Sequence, residues 1–136
     1  MKDLEEGSEL RLDFGKLAKV AAAGAGVLPV AVQHADTGEV ILVAYANATA
    51  LETAIATHTA TFWSTSRNEL WVKGGTSGET FDLVEVRVNC EQNSLVYRVR
   101  PRRGDICHTK NRAGRPRNCF YRRLDFASGR LVNLDP

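Results

Sequence analysis

The sequence predicts an α+β fold, with residues 1–136 forming a single domain dominated by antiparallel β-sheet and covered by one or two helices. Three observations predict it. Two β-rich runs, LPVAVQHA and VILVAYA, are separated by DTGE, whose Asp and Gly suit a tight hairpin turn. From Thr80 to Cys90 the residues alternate, with Val84, Val86, Val88 and Cys90 on one face and Glu85, Arg87 and Asn89 on the other. Between these stretches, ATALETAIATH sets Ala50, Leu51, Ala54 and Ile55 on one side of a helix.

Taken in order, Leu10 to Ala23 place Leu12, Leu17, Val20 and Ala21 at near-helical spacing, so a short amphipathic helix is expected there with Asp13 as its cap. The hairpin follows. Asn47 then precedes the second helix, where its side chain is suited to accept a free backbone N–H. TATFWSTS and ELWVK read as strands joined by a turn at Arg67 and Asn68, and KGGTSGE is a glycine-rich loop. The strand ending at Cys90 is followed by the turn EQNS and the strand SLVYRVR. Pro101 to Asn118 is a loop rich in Pro, Gly and Arg. CFYRRLDF, the turn ASG and RLVNL form a last hairpin.

Composition narrows the function classes. At 43% hydrophobic and 25% charged, the chain is neither disordered nor fibrous. A formal charge of +2 does not by itself imply a polyanionic partner. Between Arg98 and Arg123, however, nine arginines and one lysine face a lone Asp105, a run suited to phosphate or to a solvated loop. No apolar run approaches the roughly 20 residues of a membrane span, and acidic residues at the start do not read as a secretory signal. No membrane partner and a cytoplasmic location are therefore expected, where thiols stay reduced. Cys90, Cys107 and Cys119 are too few for a disulfide framework. Three thiolates with one open position make a reactive zinc site; equally, the three are separate buried thiols, since no C-x-x-C pair occurs.

Read together, the blocks LPVAVQHADTGEVILVAYANATAL, FWSTSRNELWVKGGTSGE, the strand ending in Cys90, and CHT followed by CFYR resemble the phosphoribosyl-AMP cyclohydrolase family of histidine biosynthesis. The resemblance implies hydrolytic opening of the purine ring of phosphoribosyl-AMP at its N1–C6 bond. It implies an intertwined homodimer in which zinc is bound by Cys90 of one subunit and by Cys107 and Cys119 of the other. Zinc suits this chemistry because it lowers the pKa of bound water to about 7. His108, beside one ligand, would shuttle a proton. Trp63 and Trp71 would line a slot for the purine, unless they belong to the core. Ser64, Lys73, Thr76, Ser77 and Gly78 would hold phosphate or the ring's polar edge, with Arg67 as a further anion contact.

The chain also departs from the family pattern. Asn89, Glu91 and Asn93 stand where three aspartates form a magnesium site, so the charge there falls from three negatives to one and magnesium is expected to bind weakly or not at all. Thr65 replaces an arginine, Gly75 replaces a glutamate, and the segment KNRAGRP lengthens the loop between Cys107 and Cys119. Arg112, Arg115 and Arg117 in that loop are candidates to compensate by binding phosphate. These departures leave two alternatives: a divergent paralogue that hydrolyses another cyclic amidine, and a non-catalytic zinc-stapled module binding nucleic acid through its arginines.

Overall fold

A computed structural model describes residues 2–22, 26–73, 80–102 and 109–136. In chain order the elements are α1 (Lys2–Glu6), α2 (Lys16–Ala22), β1 (Leu28–His34), β2 (Val40–Ala46), α3 (Ala48–Thr57), β3 (Thr61–Ser64), β4 (Glu69–Val72), β5 (Phe81–Val88), β6 (Leu95–Pro101), β7 (Arg122–Leu124) and β8 (Leu131–Asn133). The α+β class holds. Four strands form one sheet in the order β2-β1-β6-β5, and β3-β4 and β7-β8 form two separate ribbons.

The first hairpin forms where its turn chemistry places it, with Gly38 at φ 78° closing the return to β2. The alternation of β1 and β2 then puts Val30, Val32, Leu42 and Ala46 on the core face. The two antiparallel pairs of the sheet are joined by one parallel pair, β1 with β6, in which Val30 lies opposite Leu95 and Val32 opposite Tyr97. That pairing joins segments far apart in sequence, so no local pattern announced it. Tyr97, fully buried, donates from its hydroxyl to the carbonyl of Thr61 at 3.2 Å, and burial pushes its phenol up to about 12.

Helix α3 starts where Asn47 caps it: its backbone is extended and its Oδ1 accepts from the Ala50 N–H at 2.8 Å. It ends at His58, left-handed at φ 53°. Ala50 and Ala54 are buried, while Ile55 is 55% exposed, so the apolar stripe is narrower than its spacing suggested.

Three expectations are corrected. The helix expected over Leu10–Ala23 is only Lys16–Ala22, because the Asp13 carboxylate accepts from the Gly15 N–H at 2.9 Å and makes a turn before the helix begins. The strict alternation before Cys90 is interrupted by a bulge between Leu83 and Glu85, which puts Phe81, Leu83 and Val86 toward the core and leaves Val84 exposed. Val88 is 55% exposed and Cys90 is exposed in the turn beyond, so that thiol does not share a buried valine face.

Arg117 is the third. Rather than being a free phosphate contact, its side chain is 2% exposed, its guanidinium stacks 3.9 Å from the Tyr121 ring centroid, and it pairs with Glu6 of α1. Tyr121 donates from its hydroxyl to the Glu5 carbonyl at 2.5 Å, and Arg122 reaches the Leu4 carbonyl at 2.7 Å. The acidic start is therefore docked on the basic C-terminal segment. That segment also runs along β2, with the Cys119 N–H donating to the Ile41 carbonyl at 3.0 Å.

Candidate active site

Of the residues expected to bind substrate, the structure brings four together. Trp63, Ser64, Arg67 and Trp71, all on the β3–β4 ribbon and its turn, line a cleft of about 430 Å³ beside Val43 and Tyr45 of β2. The ribbon is anchored from below: Phe62 is fully buried, 5.3 Å from the Trp71 ring and 5.5 Å from Tyr97. Both tryptophans therefore touch the core and the cleft at once. The Trp63 Nε1–H is buried and without a partner among the described residues, a donor left available beside the cleft.

Ser64 acts on Arg67. Its hydroxyl accepts from the Arg67 backbone N–H at 3.2 Å and from Nε at 3.5 Å, so the serine fixes the turn that presents the guanidinium. Glu69 lies 3.5 Å from the same guanidinium, an exposed and therefore weak pair that an incoming anion can displace. Lys73 is not part of this lining; its ammonium sits 5.9 Å from the Phe81 ring centroid. Thr76, Ser77 and Gly78, with Gly75, lie outside the described residues, as do Cys107 and His108. Lys16, Val43, Ala44, Tyr45 and Ser66 also line the cleft and were not named from the sequence, because none carries a motif.

Cys90 and Cys119, both exposed, sit at opposite edges of the four-stranded sheet. Cys90 follows β5, whereas Cys119 is hydrogen-bonded to β2. Three inter-strand spacings separate those edges, roughly 14 Å. One tetrahedral zinc with bonds of about 2.3 Å holds its sulfurs within about 4 Å of each other, so these two thiols cannot share an ion inside one chain. They fit a zinc site only if two subunits contribute. Accordingly, no cluster of three metal-binding side chains occurs among the described residues.

The turn holding Asn89, Glu91 and Asn93 does not fit a magnesium ion. The Asn89 Oδ1 accepts from the backbone N–H groups of Asn93 and Ser94 at 2.9 and 3.0 Å, and its Nδ2 donates to the Asn93 Oδ1 at 2.6 Å. Each amide oxygen that would face a cation is already engaged inside the turn. Glu91 is left as the single carboxylate, too little charge to strip water from magnesium.

A sequence profile of the family described as phosphoribosyl-AMP cyclohydrolase matches residues 42–121. The chain is 49% identical to the phosphoribosyl-AMP cyclohydrolase of Sphingopyxis alaskensis, over 81% of this chain and 82% of that one. It is 43% identical to the protein of the same name from Archaeoglobus fulgidus, over 74% and 87%. It is 50% identical to a histidine biosynthesis bifunctional protein of Thermus thermophilus, over 73% of this chain and 44% of that longer one. With a matched profile that spans the β3–β4 side of the cleft, the β5–β6 turn and all three cysteines, the chain belongs to the phosphoribosyl-AMP cyclohydrolase family.

Proposed function

We infer that the protein is a phosphoribosyl-AMP cyclohydrolase of histidine biosynthesis, a zinc-dependent homodimer of the cytoplasm that opens the purine ring at the N1–C6 bond. One observation carries this: the family match covers every described lining residue of the cleft but Lys16, together with the cysteines, in a single continuous stretch, residues 42–121. Cys90 of one subunit and Cys107 and Cys119 of the other would hold zinc, which when bound would supply a nucleophile near neutral pH by lowering the pKa of water to about 7. The rest falls to the chain's own side chains. Trp63 and Trp71 receive the purine on their faces and keep bulk water away. Arg67, held by Ser64, takes a phosphate oxygen. Water adds at C6, the N1–C6 bond breaks, and His108 carries the proton to N1.

Exposed apolar side chains support association: Leu12, Phe14, Leu17, Phe120 and Phe126 all face solvent in the isolated chain. The separation of Cys90 from Cys119 supports it independently. Arg117, a central member of the basic run, is buried and paired with Glu6, which removes it from any nucleic-acid surface. The test is direct. Purified, zinc-loaded protein given phosphoribosyl-AMP should yield the ring-opened product by chromatography, and turnover should vanish in Cys119→Ser. Absence of product with added zinc overturns the reading.

A further inference from the structure

One wall of the cleft comes from outside the matched stretch. Lys16, the first residue of α2, lines it together with Tyr45, Trp63 and Arg67. The helix is seated through Val20, which is 7% exposed, and the Asp13 turn fixes where it begins. Lys16 has no hydrogen bond or ion pair among the described residues, unlike Arg67 with its Glu69 neighbour. Among the described residues no carboxylate lines the cleft. Two cations thus border a space furnished with the hydroxyls of Ser64, Thr65 and Ser66, and one of those cations is unpaired. Lys16 is exposed at the rim of this space, free to turn toward an anion that enters it, and phosphate oxygens accept hydrogen bonds from both ammonium and guanidinium donors. Thr65 itself, a neutral side chain between Ser64 and Arg67, brings no charge to the site.

We propose that Lys16 is a substrate-binding residue whose ammonium holds a phosphomonoester of the nucleotide, supplying from α2 the positive charge that Thr65 lacks. The assignment rests on the cleft being the substrate site. Its test does not need turnover, because the two tryptophans of the chain are Trp63 and Trp71 and both line the cleft, so intrinsic fluorescence reports its occupancy. The zinc-loaded protein is titrated with inorganic phosphate and with AMP, alongside Lys16→Gln, Lys16→Arg and Lys19→Gln. Lys19 lies on the same helix, is exposed, and carries the same charge without lining the cleft. Loss of one charge-assisted contact should weaken both probes about tenfold in Lys16→Gln, with Lys16→Arg near wild type and Lys19→Gln unchanged. In turnover assays the same variant should raise KM with kcat retained. Equal weakening in Lys16→Gln and Lys19→Gln, no weakening in Lys16→Gln, or no phosphate binding by the wild type overturns the proposal. Lys16-dependent probe binding without turnover keeps the anion site and removes the cyclohydrolase reading instead.

Discussion

Two cysteine variants that are each inactive should restore activity when combined. Cys90→Ser lacks the thiol after β5, and Cys119→Ser lacks the thiol beside β2; roughly 14 Å of sheet separates those positions in one chain. If every zinc is bound across the two-fold axis, a heterodimer of the variants has one site with all three thiols and one site with a single thiol. Random subunit exchange makes half of the dimers mixed, each with one of two sites intact, so the mixture should reach about a quarter of wild-type activity. Heterodimer isolated by two different affinity tags should reach about half, with one zinc per dimer by elemental analysis. A verified heterodimer with no activity and no tightly held zinc would refute the shared site. So would either homodimer retaining wild-type zinc content, because a complete site would then lie within one chain.

Three further outcomes follow from the described contacts. In Asn89→Asp/Asn93→Asp, two carboxylates replace an amide pair held at 2.6 Å, so the thermal midpoint should fall in EDTA and recover with millimolar magnesium, whereas the wild-type midpoint should not respond to magnesium. Asn47→Ala removes the 2.8 Å cap of α3 and should cost about 1 kcal/mol in urea unfolding, with Asn47→Asp nearly neutral. The carboxyls of Glu6 and Asp36 are held below their ordinary values, 4.5 and 3.8, first by side-chain hydrogen bonds from Arg117 and Arg100. A depressed folded-state pKa stabilises above the unfolded value and is lost as pH falls through the folded one. Stability should therefore decline on acidification below about pH 4.5, and Glu6→Gln should flatten part of that decline.

What the sequence disclosed and what it withheld divide along the range of the interactions. The cap at Asn47, the DTGE hairpin and the β3–β4 ribbon depend on residues within a few positions of one another, and each formed where its pattern placed it. The four cleft residues came from the family resemblance and not from any local pattern, and the structure sets them together because one ribbon presents them all. The parallel β1–β6 pair, the docking of Glu6 on Arg117 and the arrival of Lys16 at the cleft each join distant segments. The β5 bulge is different: a valine-rich alternation hid a single extra residue, and with it the face on which Cys90 lies.

The segment beside β2 bears on how the chain is made. Asn118 donates from its side chain to the Val40 carbonyl at 2.9 Å, and the Cys119 amide closes on Ile41, so groups on the outer border of the sheet are satisfied by residues far downstream of it. During synthesis that border stays bare until Asn118 and Cys119 clear the ribosome, and an uncovered strand is a template for another copy. Nascent chains halted before Asn118 should thus be far more prone to coaggregate than chains that extend past Cys119. The same late arrival couples completion of the sheet to delivery of a proposed metal ligand.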